Sequence, residues 1–516
     1  MTSSTSTPTS ASLSWGPSQR NADEAAQAVA EMSTEQKIGQ VLVPFYSGED
    51  PAPEVQAIGE LGLAGSIVMG DNVPVGANGL PDVAAVKGVT GALADAAVSA
   101  RTEINPDWDW PAIISVDQEG GIVARLRDPV TEWPAPMSYG AAGDTELTQK
   151  AYSTLGSELK AMGFTMDHAA SVDTTIGPED PTIGSRSFGS DPEMVSEQGI
   201  AAWKGLWESG IIPDAKHFPG HGSVTTDSHL GLPVQDASVE QLQARDWKPF
   251  RAAIDSGIPV VMMGHIAVPA LEDGVASSVS APSYQALRDL GFEGVVITDA
   301  LNMAAVDQAF PDGQAAVKAL ASGADLLLMP TDVYQAQAAL MAALGDGTVR
   351  MSRLDEAATR VITLMKWYQD TNAPTPDLST VGSPDNQAVA AEVSEKALTV
   401  VEGPCQAEPV SSVRVVGGSP ADQERVSRAL ADAGIATGAG PVVALSADGS
   451  TPPADIAVTV DAPWALATWQ ADTKIALFGR DPGAYTALAK YLAGSLAASG
   501  KLPVAVEPYA LGASCR

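Results

Sequence analysis

The segment GVVITDA, residues 294–300, combines an apolar run with an acidic end. Its valine and isoleucine side chains favour a strand, and the lack of alternation with polar residues indicates that both faces of this strand are buried. Asp299 follows the run, at the point where the carboxyl ends of parallel strands meet. A buried parallel strand that ends in a carboxylate predicts an α/β fold with a functional site at the strand ends.

Seven further apolar runs occur before residue 330, and segments with helical spacing, such as residues 191–210, separate them. They begin at residues 38, 65, 111, 164, 211, 259 and 324. Eight β units that alternate with α units predict a (β/α)8 barrel. Polar residues end nearly every run, among them Asp117, Lys216, His217 and His265, so we expect the barrel to gather them on one face.

The 516 residues divide into four predicted segments. Residues 1–22, rich in serine and threonine, are expected to form a disordered leader. Residues 23–370 are expected to form the barrel, and residues 371–386, which contain three prolines, the linker that follows it. Residues 387–516 again alternate apolar runs with helical segments, which predicts a smaller three-layer α/β domain.

The formal net charge of −34 argues against nucleic acid and anionic membranes as partners, because such a surface repels polyanions. No uninterrupted apolar run approaches the roughly 18 residues of a membrane span, so we expect none. The leader lacks the pattern of a signal peptide, although it could follow a lost signal or lipid anchor. We expect a monomer that uses no cofactor and no metal.

Cys405 and Cys515 are the only cysteines, and neither has the CxxC spacing of a zinc or thioredoxin-type site. The two could form a disulfide, which would imply an oxidising compartment, or they could remain two unpaired small residues. We expect a secreted or cell-surface protein, with the cytoplasm as the alternative.

The segment DAKHFPGHGSVTTDSH, residues 214–229, holds three of the five histidines and is open to four interpretations. A metal site could use His217, His221 and His229 with Asp227, although their spacing matches no compact zinc pattern. The PGHG turn could cradle a phosphate, although it lacks the strand, glycine-rich loop and helix of nucleotide sites. The histidines could also only satisfy buried hydrogen bonds.

In the fourth interpretation, His229 transfers protons. Asp227 lies two residues before His229, and in an extended loop both side chains point to the same side. The carboxylate can then hold one ring nitrogen and leave the other to transfer a proton. Asp299 is the candidate nucleophile, since no G-x-S-x-G elbow is present; its alternative role is to cap the next helix.

The motifs KHFPGHG, DSH, GVVITDALNM, DQEGGIVARL and PTIGSRSFGSDP resemble those of the β-N-acetylglucosaminidases of glycoside hydrolase family 3. The resemblance covers about residues 33–370 in consistent order. It implies a retaining mechanism with a covalent glycosyl-enzyme, in which Asp299 is the nucleophile, His229 the acid/base and Asp227 the residue that orients His229. The β-glucosidases of the same family resemble this chain in the barrel but lack the Asp-Ser-His loop.

The same resemblance assigns a sugar pocket, whose carboxylate and guanidinium groups suit vicinal hydroxyls. Its residues are Asp117, Arg125, Arg186, Lys216 and His217. The family usually reads DQEGGRVQR, and Ile122 replaces the first arginine here, which predicts changed local packing or outer-site contacts. Asp167, His168 and His265 are expected to support the site rather than to bind the sugar.

The sequence therefore predicts a retaining exo-β-N-acetylglucosaminidase that removes terminal β-linked N-acetylglucosamine from cell-wall muropeptides or chitooligosaccharides. A neutral histidine adds no negative charge beside the site in the second step, so phosphate could replace water as the acceptor. A β-N-acetylglucosaminide phosphorylase is therefore one alternative, and a carbohydrate-binding protein without turnover is another.

Overall fold

The computed structural model describes residues 12–228 and 231–515, and its first domain is a barrel of eight strands. The strands are Leu42–Val43 (β1), Gly65–Ile67 (β2), Ile113–Val116 (β3), Met166–Asp167 (β4), Ala215–Phe218 (β5), Val260–Met263 (β6), Val295–Thr298 (β7) and Leu327–Leu328 (β8). All of these strands are buried, as their apolar runs predict. The predicted fold class, a barrel followed by a smaller α/β domain, is confirmed.

Parallel backbone pairing closes the ring of strands. β1 pairs with β8, while β2, β3 and β4 are successive neighbours, as are β5, β6 and β7. A parallel bridge joins β7 to the start of β8, and another joins the segment after β4 to β5. The amide of Ile67 donates to the carbonyl of Pro44, which connects β2 to β1. The carboxyl ends of all eight strands therefore open onto one face.

Helices alternate with the strands and surround them. They are Ala52–Leu61, Val83–Thr102, Thr145–Ala161, Pro192–Glu208, Trp247–Asp255, Ala281–Asp289, Gln314–Ser322 and Val333–Gly345. Additional helices are Gln19–Glu31, Thr34–Gly39, Pro136–Ala142, Val239–Ala244, Ala304–Asp307 and Met351–Thr371. Asp82, Asp144, Asp191 and Asp332 each accept backbone amides at a helix N-terminus, so part of the acidic composition stabilises helix starts.

The N-terminal boundary differs from the prediction of a disordered leader over residues 1–22. Residues 1–11 lie outside the described residues, but the helix Gln19–Glu31 begins inside the predicted leader. Ser18 and Asn21 form a capping box at its start, and the ring of Trp15 packs edge-on against Trp367 at 5.9 Å between centroids. Capping and aromatic burial therefore extend the packed barrel domain towards the N-terminus.

The helix Val83–Thr102 is long and apolar enough, by length and composition alone, to cross a membrane. Within the barrel it connects β2 to β3 and packs against the helix Ala52–Leu61. It carries Lys87 and Asp95, and its buried residues include Leu93. A barrel helix with one apolar stripe meets the same length and hydropathy criteria, so this helix is weak evidence for a membrane span.

The predicted linker, residues 371–386, is tied to the barrel along its second half. It ends inside a helix, Pro384–Ala397, which begins earlier than the predicted domain boundary at residue 387. Glu158 Oε1 accepts the amide of Gly382 at 2.8 Å and the side-chain amide of Asn386 at 2.9 Å. These two hydrogen bonds fix the start of the second domain on the barrel helix Thr145–Ala161.

The second domain is a five-stranded sheet with helices on one face. Its strands are Thr399–Glu402 (β9), Ser412–Gly417 (β10), Ala436–Ser446 (β11), Ile456–Thr459 (β12) and Thr473–Ala476 (β13), in the order β9-β13-β12-β11-β10 with only β9 antiparallel. The helices Pro420–Asp432 and Pro482–Leu492 pack against each other over one face of the sheet. The 3-10 helix Pro463–Ala467 and Met137 of the barrel contribute to the apolar clusters of the other face, so the third of the predicted layers consists of this short helix and the barrel rather than of further α-helices.

A disulfide joins Cys405, which follows β9, to Cys515 near the C-terminus. Of the two possibilities for these cysteines, a disulfide or two unpaired residues, the structure shows the disulfide. The domain also binds the barrel through charges: Arg425 donates to both carboxylate oxygens of Glu132 at 2.9 Å, and Lys396 pairs with Asp144 at 2.8 Å.

Asp325 is a buried carboxylate that ties β8 to the surrounding helices. Its Oδ2 accepts the amide of Val296 on β7 at 3.0 Å and Arg288 at 2.8 Å. Its Oδ1 accepts a hydrogen bond from the guanidinium group of Arg353 and another from that of Arg360 at 3.1 Å. Burial alone would raise the pKa of Asp325, but the three arginines hold it below its ordinary value. The carboxylate is therefore ionised and compensates three cations at once.

We expect Asp325→Asn to lower the free energy of unfolding by about 3 kcal/mol or more, because the neutral amide leaves Arg288 without its buried carboxylate and Arg353 and Arg360 with only the exposed Glu356. Urea unfolding followed by circular dichroism measures the change. Asp346→Asn, at an exposed position, is the matched control and should stay within about 0.5 kcal/mol. Equal losses in the two variants would contradict the assigned role of Asp325.

Candidate active site

A cavity of about 400 Å³ lies at the carboxyl ends of the barrel strands. Of the eight residues predicted for the site, six line it: Asp117, Arg125, Arg186, Lys216, His217 and Asp299. Asp227 is not among the lining residues, but its neighbour Ser228 is. His229 lies outside the described residues. The strand ends thus bring together side chains that are up to 182 residues apart in sequence, between Asp117 and Asp299.

Asp117 follows β3 and is bound by two cations. Arg125 Nη2 donates to its Oδ2 at 2.8 Å, and Lys216 Nζ lies 3.4 Å from its Oδ1. A short hairpin, Gln118–Gly120 with Val123–Ala124, carries Arg125 back towards Asp117. Burial would raise the pKa of Asp117, but the charges of Lys216 and Arg125 lower it below the ordinary range.

Glu119 also belongs to this cluster. It lies within the motif DQEGGIVARL, but the sequence alone predicts no role for it. Its carboxylate binds Arg186 through both oxygens, at 2.8 and 2.9 Å, and lies 2.7 Å from Lys216 Nζ. Burial alone would raise the pKa of Glu119, but the charges of Arg186 and Lys216 lower it to about 2. The signal was the spacing: residues 117 and 119 point to one side of an extended segment.

The charges of the cluster hold one another in fixed positions. Lys216, at the middle of β5, is almost fully buried, and Glu119 and Asp117 raise its pKa above the ordinary lysine value against the effect of burial. Arg186 likewise remains charged beside Glu119. Alternating carboxylates and cations on one cavity wall can donate to and accept from neighbouring hydroxyl groups without moving.

Asp173 is a second carboxylate that the sequence analysis missed. It is fully buried. Its Oδ2 accepts one hydrogen bond from Nδ1 of His217 at 2.7 Å and one from the backbone amide of His217 at 3.1 Å. Its Oδ1 accepts the amide of His221 at 2.6 Å. Despite burial, His217 and His221 lower the pKa of Asp173 to about 2. Asp173 fixes the ring of His217 and leaves Nε2 as the nitrogen available to the cavity.

His221, to which the sequence analysis gave no role of its own, contacts the Asp-Ser-His loop. Its Nε2 lies 2.9 Å from the hydroxyl of Ser228, and its Nδ1 is buried with no hydrogen-bond partner among the described residues. Burial and the nearby charge of His217 lower the pKa of His221 to about 4. A neutral imidazole therefore anchors the residue that separates Asp227 from His229.

Asp299 ends β7 and is held by the neighbouring strand. Its amide donates to Met263 at the end of β6, and its Oδ1 accepts the amide of Ala300 at 2.8 Å. Burial would raise the pKa of Asp299, whereas His265, His217 and the Ala300 amide lower it below its ordinary value. A carboxylate kept ionised in a buried cavity is available as a nucleophile.

Three residues expected to support the site lie behind the cavity wall. His265 is buried between the hydroxyl of Ser278, at 2.6 Å, and the carbonyl of Ala300, at 2.8 Å. His168 pairs with Asp214 at 2.7 Å, and Asp167 accepts the amide of Gln118 at 2.8 Å. Burial raises the pKa of Asp167 to about 8, so this carboxyl is largely protonated at neutral pH.

Among residues 12–228 and 231–515, no group of three or more histidine, cysteine, aspartate or glutamate side chains is arranged to hold a metal ion. His217 and His221 are instead engaged by Asp173 and Ser228.

Residues 33–364 match the family described as Glycosyl hydrolase family 3 N terminal domain. β-Hexosaminidase A of Pseudoalteromonas piscicida is 30% identical over 424 residues, which cover 73% of this chain and 69% of that protein. β-Hexosaminidase LpqI of Mycobacterium tuberculosis is 34% identical over 264 residues, which cover 49% of this chain and 68% of that protein.

Solved structures resemble both domains. A glycoside hydrolase family 3 β-N-acetylglucosaminidase from Paenibacillus sp. str. FPU-7 superposes with a TM-score of 0.83 at 29% identity, over 92% of this chain and 99% of that chain. A β-glucoside phosphorylase superposes with a TM-score of 0.82 over 95% of this chain and 97% of that chain, but its 19% identity relates the fold alone.

The pKa values of two buried histidines should shift in opposite directions from the ordinary histidine value. We expect His221 to protonate near pH 4, and His168, raised by Asp214 against the effect of burial, above its ordinary pKa of 6.5. The unfolded chain takes up the His221 proton at about pH 6.5. The stability contributed by neutral His221 is therefore full above pH 6.5 and is lost as the pH falls towards 4.

Histidine-selective NMR across pH 3–9 measures both titrations in one sample, and His221→Asn and His168→Asn assign the signals. A midpoint for His221 near the ordinary value would contradict the buried, neutral imidazole.

Proposed function

Because this chain belongs to glycosyl hydrolase family 3, we propose that it is a retaining exo-β-N-acetylglucosaminidase that uses Asp299 as its nucleophile. The observation that carries the proposal is the placement of Asp299: an ionised carboxylate at the end of β7, in the same cavity as a fixed set of hydroxyl-binding charges. β-Hexosaminidases and a β-N-acetylglucosaminidase among the similar proteins support the substrate class.

In the first step, the Asp299 carboxylate attacks the anomeric carbon and the bond to the leaving oxygen breaks. His229, as an imidazolium, gives its proton to that oxygen, and Asp227 stabilises the positive ring. In the second step, water attacks the same carbon and gives a proton to His229 while the bond to Asp299 breaks. Two displacements retain the anomeric configuration.

The charged cluster binds the terminal sugar. Asp117 and Arg125 hold one pair of hydroxyls, while Arg186, Lys216 and His217 complete the pocket. Glu119 and Asp173 act on these residues: the first holds Arg186 and Lys216, and the second holds His217. Because these groups are already paired, the sugar meets them without reorganisation of the site.

We also propose that the protein works outside the cytosol, at the cell surface or after secretion. The disulfide between Cys405 and Cys515 supports this, since structural disulfides persist in oxidising compartments.

Asp299→Asn should lower kcat/KM for an aryl β-N-acetylglucosaminide by at least about 10³-fold, because the amide cannot form the glycosyl-enzyme. Initial rates with and without added phosphate measure this, and NMR of the first product reports its configuration. Asp346→Asn, exposed and outside the cavity, is the control. Turnover of Asp299→Asn near the wild-type level would overturn the proposal, and a phosphate-dependent sugar 1-phosphate would identify a phosphorylase.

His221→Ala and Ser228→Ala should each slow release of a sugar leaving group by about tenfold, because the contact that anchors the Asp-Ser-His loop is lost. The rate of hydrolysis of N-acetylglucosaminyl fluoride should change much less, because fluoride leaves without being protonated. The double variant should be no slower than either single variant, since both remove the same contact. Equal losses on the two leaving groups would contradict a role in positioning the acid/base residue.

A further inference from the structure

A second cavity, of about 350 Å³, lies between the barrel and the second domain. Residues 180–185 of the barrel form one wall, and the segments that follow β11 and β12, residues 446–449 and 461–465, form the other. The carboxyl edge of the second domain's sheet, where open α/β sheets bind ligands, therefore faces the barrel here.

This interdomain cavity adjoins the catalytic cavity. Thr182 lines both of them. Ile122 lines the interdomain cavity and its neighbour Val123 the catalytic one, and the same relation holds for Ser185 and Arg186. The two cavities therefore meet at Thr182, on the side of Arg186, and a ligand longer than one sugar ring can extend there from the catalytic cavity into the interdomain cavity.

The charge of the interdomain cavity differs from that of the catalytic cavity. Asp180, Asp448 and Asp461 line it, and no lysine, arginine or histidine does so among the described residues. The catalytic cavity, in contrast, is lined by cations that pair with its carboxylates. A carboxylate entering the interdomain cavity would meet Asp180 and Asp448 with no cation in the cavity lining, while Arg480 lies near Asp461 outside that lining.

Other lining groups suit an amino sugar. Trp464, in the 3-10 helix Pro463–Ala467, is partly exposed and offers an apolar ring face. Thr182 Oγ1 is buried without a hydrogen-bond partner among the described residues, so a ligand hydroxyl can satisfy it. A tryptophan beside carboxylates also attracts an ammonium group.

Ile122 occupies the tip of the hairpin that carries Arg125 and is 50% exposed. Its apolar side chain lines the interdomain cavity, so the hairpin that carries Arg125 contributes no charge to this wall. The charged groups of the lining are therefore the three aspartates.

We propose that the interdomain cavity receives the leaving-group sugar and selects uncharged or cationic glucosamine units over units that carry a carboxylate. The inference rests on the proposed function and deepens it, because it favours chitin-type oligosaccharides over muropeptides. The selection comes from the second domain, whose Asp448, Asp461 and Trp464 form one wall of the cavity.

The first test compares kcat/KM for three disaccharides with N-acetylglucosamine at the non-reducing end, at low ionic strength. The reducing-end units are glucosamine, N-acetylglucosamine and N-acetylmuramic acid. We expect kcat/KM to be highest with glucosamine and lowest with N-acetylmuramic acid. The value with N-acetylglucosamine should exceed that with N-acetylmuramic acid by about tenfold, and the differences should become smaller at high salt. Equal or faster cleavage of the muramic acid substrate would overturn the proposal.

The second test changes the charge of the cavity wall. Ile122→Arg and Asp448→Asn should each reduce the preference for N-acetylglucosamine over N-acetylmuramic acid by about threefold, because each makes the cavity less negative. Ile122→Gln and the exposed, distant Asp346→Asn are the matched controls and should leave the preference unchanged. A preference that moves equally in Asp346→Asn and Asp448→Asn would show only the effect of overall charge and overturn the proposal.

Trp464→Ala should lower kcat/KM for chitotriose about tenfold relative to that for N-acetylglucosaminyl fluoride, whose leaving group does not reach the cavity. An unchanged ratio would remove Trp464 from the proposal. Failure to cleave any of these substrates would refute the proposed function itself. Cleavage without charge preference would refute only the further inference.

Discussion

The structure of the site depends on the mutual compensation of buried charges at the carboxyl end of the barrel. Asp117 and Glu119 share Lys216, while Arg125 and Arg186 each bind one of the two carboxylates. Glu119, Lys216 and Arg186 are buried and could not remain charged alone, because an unpaired ion in the interior is strongly destabilising. The cluster therefore requires the hairpin, the middle of β5 and the loop after β4 to be correctly placed together.

The same constraint explains which site residues could be predicted from the sequence. Asp117, Lys216, His217 and Asp299 directly follow or end apolar runs, so the geometry of parallel strands places them on one face. Glu119 has only the weaker signal of its spacing from Asp117, and Asp173 ends no strand, so the sequence does not identify their partners Arg186 and His217. Only the folded barrel shows that Glu119 holds Arg186 and that Asp173 holds His217.

At the N-terminus, local capping and aromatic burial outweigh the composition of the chain. The serine- and threonine-rich start of the chain predicts disorder, but Ser18 and Asn21 cap a helix that packs on the barrel, and Trp15 is buried against Trp367. For the second domain the sequence predicts a smaller α/β fold and assigns no site residue. Its position brings the carboxyl edge of its sheet against the hairpin of Arg125, so its contribution arises from where it docks.

The central claim is that Asp299 forms a covalent bond to the sugar. A slow substrate tests it most directly: a β-N-acetylglucosaminyl fluoride with a second fluorine at C5, which slows both steps by destabilising the oxocarbenium-like transition state. Mass spectrometry of the digested protein should find the sugar attached to Asp299. A protein that turns over ordinary substrate but carries no adduct, or carries it on another residue, would contradict the account.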